Sequence, residues 1–145
     1  MLGYAYDEPG LSLVAMLLGR AEQVDYAKLV SVIHEFGDLA QRRTDRDAHV
    51  LMYVGNSGPP SNNHRRAIAG GADRFSRMRF AFVSESTIAR GVNMAIQLLA
   101  PARAGVVRST HASIDDALMW FESELSGSGV LLRSLVERAR AGKAP

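Results

Sequence analysis

Four short apolar runs alternate with segments of helical periodicity along this chain of 145 residues. The runs occupy residues 12–18, 49–54, 79–83 and 105–109. Strands that alternate with helices form a mostly parallel sheet, because each helix carries the chain back to the edge where the next strand starts. This alternation constrains the fold more than any other feature, and it predicts an α/β protein.

The first residues add an antiparallel strand to this pattern. Tyr4 to Asp7 is predicted as a short strand, and Asp7-Glu8-Pro9-Gly10 as a turn, because proline presets φ and glycine accepts a positive φ. The run at 12–18 should then pair antiparallel with the first strand. We therefore expect a mixed, mostly parallel five-stranded sheet, in the order β-β-α-β-α-β-α-β-α with one more helix at the C-terminus.

The first helix is predicted from an N-cap and from apolar spacing. Asp25 is a suitable N-cap residue, and the helix should end near the Arg42 to Arg46 run. Apolar residues recur at three and four positions, which is the period of one helix face. The residues of this face are Tyr26, Leu29, Val30, Ile33, Phe36 and Ala40.

A later helix should follow the hydroxyl-rich Ser84-Glu85-Ser86-Thr87 and stop at Pro101. Gly91 lies in the middle of this helix, where glycine costs about 1 kcal/mol relative to alanine. That cost predicts a close approach of the helix to the sheet or to a neighbour. One face of the helix carries Ile88, Val92, Ala95, Ile96 and Leu99.

The last part of the chain is predicted as a capped helix, a hinge and a tail helix. Ser113 opens the first of these helices, with two acidic residues at the positive end of its dipole. Residues 1–125 then form the main domain, while 126–145 supply a flexible hinge at 126–129 and an amphipathic helix that packs on the body, a second copy or another protein. The inner face of the capped helix is predicted to contain Ile114, Ala117, Leu118, Phe121 and Leu125.

Composition excludes several classes of protein. The 47% of hydrophobic residues suffices for one globular core, and the absence of cysteine rules out disulfides, zinc–thiolate sites and thiol nucleophiles. We find no metal-ligand spacing, glycine-rich phosphate loop or nucleophile elbow, so we expect no cofactor, no metal and no catalysis. The first residues do not resemble a secretion signal, and the run Leu13 to Leu18 is too short to span a bilayer, which favours a cytoplasmic protein.

Charge gives little support to nucleic-acid binding. The net charge is only +2, although arginines cluster at 42–46 and at 65–79. Clusters of this kind are usually solvated faces, and so little net charge does not favour contact with a phosphate backbone. Nucleic acid is therefore not expected as a partner.

The segment 55–63 holds the densest set of turn-forming residues and follows a predicted interior strand. In open α/β sheets, ligands and partners gather where strand ends meet helix N-termini. We therefore predict a contact surface for a protein partner at this edge, with the start of the helix after the fourth strand beside it. The candidate residues are Asn56, Ser57, Gly58, Ser61, Asn62, Asn63, Ser84 and Ser86.

The order of elements resembles the STAS fold of anti-sigma-factor antagonists and the related SpoIIAA-like bacterial proteins, over about residues 3–125. The resemblance rests on Asn56-Ser57-Gly58, on Ser86 to Leu99 as a helix, and on the closing strand with Ser113-Ile114-Asp115-Asp116-Ala117-Leu118. It implies a non-catalytic regulatory module that binds a regulatory kinase, an anti-sigma factor or a similar protein.

The same resemblance implies a role for Ser57. In the family, an Asp-Ser-Ser/Thr/Ala-Gly motif in this loop carries a phosphorylatable serine, whose phosphate decides whether the partner binds. By position Ser57 takes this role. The chain departs from the motif, since Gly55-Asn56 precede the serine and Pro59-Pro60 follow.

Two alternatives remain open. Some SpoIIAA-like proteins suggest a cleft for a small molecule or lipid, which Met52, Met78, Met94 and Met119 would line, although methionines at such spacings usually fill core gaps. A second copy of the chain is a further candidate partner, in a homodimer. Trp120 is interpreted as covering the edge of the core rather than anchoring a partner.

A hydrolase-type site is the second alternative. His64 and His111 should both follow strand ends, on the side of the sheet where Ser57 and Ser84 lie. A serine and a histidine in contact can perform nucleophilic catalysis if a third group orients them. His34 and His49 are weaker candidates.

Overall fold

The computed structural model describes residues 1–55, 62–99 and 104–142. Within these ranges the chain forms a five-stranded sheet and five α-helices. The strands are β1 (Leu2–Asp7), β2 (Ser12–Leu17), β3 (Ala48–Val54), β4 (Met78–Val83) and β5 (Val106–His111). The helices are α1 (Tyr26–Gln41), α2 (Asn62–Ala72), α3 (Thr87–Leu99), α4 (Ile114–Glu124) and α5 (Ser128–Arg140), with a short 3-10 turn at Ala21–Gln23.

The sheet confirms the predicted mixed α/β class. Its strands follow the order of the chain, with β1 antiparallel to β2 and every later pair parallel. Tyr4 lies opposite Ala15 in the antiparallel pair, while Val14 lies beside Leu51 in the first parallel pair. Parallel pairing places the carboxyl ends of β2, β3, β4 and β5 at one edge of the sheet.

Helices cover both faces of the sheet, and the core is divided accordingly. On one face, Leu13 and Ala15 of β2 pack with Leu29 and Phe36 of α1. On the other face, the next residues along β2, Val14 and Met16, pack with side chains of α4 and α5. All six residues of β2 are buried. A strand that is covered on both faces has a continuous run of apolar residues, and this run is what predicted β2 from the sequence.

The turn between β1 and β2 differs from the prediction in the residue that takes a positive φ. The Asp7 carboxylate accepts a hydrogen bond from the Gly10 amide at 2.6 Å, but Leu11, at φ 47°, is the residue in the left-handed region. A non-glycine residue there costs about 1 kcal/mol or more. Leu11 is buried in the core, and this burial offsets the cost.

The predicted caps of α1 and α4 are both confirmed. Asp25 accepts the Lys28 amide at 3.0 Å, and Ser113 accepts the Asp116 amide at 3.1 Å. The buried face of α1 matches the prediction except that Val32 is buried, whereas Val30 is only half-buried.

Two predicted boundaries were wrong by a few residues. β5 begins at Val106 and continues to His111, because Gly105 has a φ of +83° and cannot extend the strand. His111, predicted to lie in a loop after the strand, is the last residue of β5. Leu125 was assigned to the inner face of α4, but the helix ends at Glu124 and Leu125 is 49% exposed in an extended conformation.

The segment 126–129 is a fixed corner, not the flexible hinge that its composition suggested. The buried Ser128 hydroxyl donates to the carbonyls of Phe121 at 2.7 Å and Leu125 at 2.8 Å. The Glu122 carboxylate accepts the amides of Gly127 at 2.6 Å and Gly129 at 3.0 Å. These four bonds start α5 in one direction, and α5 packs on β1, β2 and α4, so the tail helix covers the body of this chain.

The close packing of α5 on β1 leads to a prediction on stability. A Cβ placed on Gly3 would overlap with the Ala139 backbone carbonyl, so the helix approaches the strand at a distance that only glycine permits. We expect Gly3→Ala to lower the free energy of unfolding by about 1–3 kcal/mol, the usual range for overpacking a core. Urea unfolding followed by circular dichroism measures the loss. An unchanged urea midpoint would contradict the close packing of α5 on β1.

Candidate functional site

The carboxyl edge of the parallel strands is where the sequence placed a contact surface. Of the candidate loop, Asn56, Ser57, Gly58 and Ser61 lie outside the described residues. Asn62 is the first residue of α2, and Asn63 is exposed next to it. The described candidates at this edge are therefore Asn62 and Asn63 at the start of α2, and Ser84 and Ser86 after β4.

Ser84 and Ser86 build the turn from β4 into α3. The Ser84 hydroxyl accepts the Ser86 amide at 3.2 Å, and the Ser86 hydroxyl accepts the Ala89 amide at 3.2 Å, which caps α3. Arg90 reaches back from α3 and donates to the Ser84 carbonyl at 2.7 Å. Ser84 is fully buried, so a partner at this edge would meet Ser86 and α3 and would not reach the Ser84 side chain.

Between residues 88 and 94, α3 presents apolar side chains to solvent. Ile88 is 80% exposed, Met94 54% and Val92 42%, and we name these three residues the α3 surface. The predicted apolar face of this helix is therefore turned outward at Ile88 and Val92, while the side chains of Ala95, Ile96 and Leu99 lie outside what the structure describes. Asn93, on the opposite side of the helix, donates to the Thr110 hydroxyl of β5 at 3.3 Å.

Gly91 does not have the close neighbour that the sequence suggested. It is exposed, and a Cβ built on it meets no atom within 4 Å among the described residues. No packing among the described residues offsets the cost of glycine at this position.

Of the serines predicted for a serine–histidine site, Ser57 lies outside the described residues and the buried Ser84 hydroxyl bonds to the Ser86 amide, but a different serine contacts a histidine. The His64 ring stacks on Tyr26 between α1 and α2, with centroids 4.9 Å apart, on the face of the sheet opposite to α4. On the α4 face, the Ser109 hydroxyl lies 2.7 Å from the His111 Nε2 atom. The signal in the sequence was Ser-x-His, which puts both side chains on one face of a strand, but the strand was predicted to end at Ser109.

His111 lies in a half-buried setting. Burial lowers its pKa below the ordinary value of 6.5, and the negative charge of Asp116 acts in the opposite direction. Its ring is 5.8 Å from that of Trp120, which also packs on Phe121 at 4.9 Å. Trp120 is half-buried at the edge of the α4 core, as the sequence interpretation had it.

The arginines of the amino-terminal edge of the sheet are held by carboxylates. Arg43 makes two bonds to Asp45, at 2.9 and 3.1 Å, and lowers the pKa of that carboxyl to about 2. Arg79 lies between Asp47 at 3.4 Å and Glu124 at 2.7 Å. Arg77 and Arg74 also pair with carboxylates. The charges of these four arginines are compensated locally.

The four methionines proposed for a cleft do not share one. Met52 and Met78 pack in the core on the α1 face, whereas Met119 is exposed on α4, on the other face of the sheet, and Met94 is exposed on α3. The described residues contain no group of three or more His, Cys, Asp or Glu side chains able to hold a metal ion. No described helix has both the length and the apolar character needed to cross a membrane.

Comparisons with models of known protein families, with curated proteins and with solved structures find no match to this chain.

The open space at Gly91 generates the second prediction. We expect Gly91→Ala to raise the free energy of unfolding by about 0.5–1 kcal/mol, because alanine is the better helix former and nothing described obstructs its methyl group. Urea unfolding compared with the wild type measures the gain. A loss of stability would show that α3 packs closely against a neighbour at this point.

Buried His49 generates a prediction on pH. It lies on β3, 5.5 Å from the Phe121 ring, and burial lowers its pKa, with Asp47 opposing this and Arg79 adding to it. Above the unfolded pKa of about 6.5 the histidine is neutral in both states and costs nothing. As the pH falls below that value the unfolded state binds the proton more readily, so stability falls, by at most about 1.4 kcal/mol per pH unit.

The free energy of unfolding should therefore fall more steeply between pH 7 and 5 in the wild type than in His49→Gln. The difference between the two proteins isolates His49 from His111, whose pKa is also lowered. Equal slopes would contradict a neutral buried His49.

Proposed function

We propose that the protein is a regulatory module that associates reversibly with another protein, in the manner of the anti-sigma-factor antagonists it resembles. The single observation that carries the proposal is the exposure of the α3 surface, Ile88 above all. The order of elements, with an antiparallel pair followed by parallel strands in chain order, is the order that the resemblance rests on.

The α3 surface is suited to a protein contact by its chemistry. Ile88 and Val92 are four residues apart and share one face of the helix. Burying a side chain of this kind contributes about 1.5–3 kcal/mol, so these two supply much of the energy of a reversible contact. We infer that the partner presents an apolar groove or helix to this face.

The helix is held in place before any partner arrives. The Ser86 cap and the bond from Arg90 to the Ser84 carbonyl fix the first turns of α3 to the end of β4. A surface on a fixed helix loses little conformational entropy on binding, which favours association. The segment 55–63, which follows β3 in the sequence, stays part of the proposed contact because β3 is the strand next to β4.

Regulation by phosphorylation of Ser57 is not part of the proposal. Asn56 replaces the aspartate of the family motif, and Pro59-Pro60 stand where the family starts its helix. The identity of the partner as a regulatory kinase or an anti-sigma factor is suggested only by the resemblance to the family.

The proposal is tested by a double variant, Ile88→Asp with Val92→Asp. Immobilised wild type and variant are exposed to lysate of the source organism, and retained proteins are identified by mass spectrometry. A partner recognised through α3 should be retained by the wild type and lost from the variant. With that partner purified, calorimetry should show an affinity at least 10-fold weaker for the variant, which corresponds to about 1.4 kcal/mol.

The matched control is Val130→Asp. Val130 is 74% exposed on α5, in the helix layer on the other face of the sheet, so its replacement introduces one negative charge away from the proposed surface. The control should bind as the wild type does. Equal affinities for the wild type and the α3 variant would contradict the proposed surface.

A further inference from the structure

The Ser109–His111 pair belongs to none of the surfaces described for protein association. Both residues lie on β5 at positions two apart, so both side chains emerge on the α4 face. Their side chains are half-buried, and the hydroxyl oxygen and the imidazole Nε2 are within hydrogen-bond distance at 2.7 Å. This is the contact that a serine nucleophile requires with its general base.

The charge state of His111 suits the role of a base. Burial lowers its pKa, so the ring is mostly neutral at pH 7. A neutral imidazole with its proton on Nδ1 accepts at Nε2, and the Ser109 hydroxyl then donates to it. The negative charge of Asp116, at the start of α4, raises the pKa of His111 against the effect of burial, and such a charge favours an imidazolium.

The position of β5 leaves a backbone donor beside the serine. Two backbone hydrogen bonds show which residues of β5 bond to β4. The Met78 amide donates to the Gly105 carbonyl, and the Ser84 amide donates to the His111 carbonyl. The backbone N–H and C=O groups of the odd-numbered residues of β5 therefore point toward β4. The N–H of Thr110, the residue after Ser109, therefore points to the outer edge. β5 ends the sheet, so no strand in the described part of the chain takes this donor.

Apolar side chains flank the pair. Val107 precedes Ser109 by two residues on the same face and is 42% exposed, and the half-buried Trp120 ring contacts the His111 ring. An acyl or aryl group seated against valine and tryptophan would bring its ester carbonyl over the serine at the open edge of β5.

We propose that Ser109 is a nucleophile, activated by His111, that accepts the acyl group of a small carboxylic ester carrying an apolar or aryl substituent. The Ser109 oxygen bonds to the ester carbonyl carbon as its proton passes to His111 Nε2, and the Thr110 N–H donates to the oxygen that becomes negative. The C–O bond to the alcohol then breaks, and the alcohol leaves with the proton from His111. Water releases the acyl group by the same path, which yields the acid and restores Ser109.

The test uses an alkyl fluorophosphonate, whose phosphorus bonds to an activated serine oxygen as fluoride leaves. The intact protein is treated with the probe, and the modified peptide is identified by mass spectrometry. We expect labelling at Ser109, and we expect p-nitrophenyl acetate to be hydrolysed by the wild type and not by Ser109→Ala. Labelling confined to other serines, or no labelling, would overturn the proposal, and this outcome does not depend on whether a variant folds.

Two variants separate catalysis from structure. His111→Ala should reduce the labelling rate at Ser109 by about 100-fold or more, the usual contribution of a general base, and free imidazole in the buffer should restore part of it. A merely structural role for His111 would not respond to imidazole. Ser123→Ala is the matched serine control, since its exposed hydroxyl bonds only to the Trp120 carbonyl among the described contacts, and its labelling should equal that of the wild type. Labelling of Ser109 that is unaffected by His111→Ala would overturn the role of the histidine.

Discussion

Burial of β2 on both faces is the constraint on which the remaining structure depends. Its six residues are all buried, and it hydrogen-bonds to β1 on one side and to β3 on the other. Its side chains point alternately to two layers, so a helix is needed on each face to exclude water. α1 covers one face and α5 the other, although nearly 90 residues separate the two helices in the chain.

Among the described residues, side chains of the sheet become more exposed from β2 toward β5. This explains why the α3 surface and the Ser109–His111 pair both lie at the β5 end. Phe80 and Phe82 on β4 are only half-buried, and Val107 on β5 is substantially exposed. Among the described side chains of α3, the apolar Ile88, Val92 and Met94 face solvent. Side chains at the covered end of the sheet are used for stability, whereas those at the β5 end remain accessible to a protein or a small molecule.

Local signals were predicted well because their causes are local. Asp25 and Ser113 cap their helices through amides three residues away, and no distant contact can change that chemistry much. Contacts between distant segments were not predictable in the same way. Ser128 lies in a stretch whose composition suggests flexibility, yet its hydroxyl is fixed by two carbonyls at the end of α4. The exposure of Ile88 could not be predicted either, because an apolar helix face normally indicates burial and the sequence does not show which elements lie beside it.

By itself the sequence determined the class of fold, since alternating apolar runs and helical periods admit little besides an α/β sheet, and it determined the caps and the antiparallel start. It also excluded thiol chemistry, because the chain contains no cysteine. The tertiary structure decided which apolar residues stay exposed on α3, that α5 covers β1 and β2, and that the His111 ring contacts the Ser109 hydroxyl. These outcomes depend on where one strand ends and on which face each helix packs, and both are set by the summed packing of segments far apart in the chain.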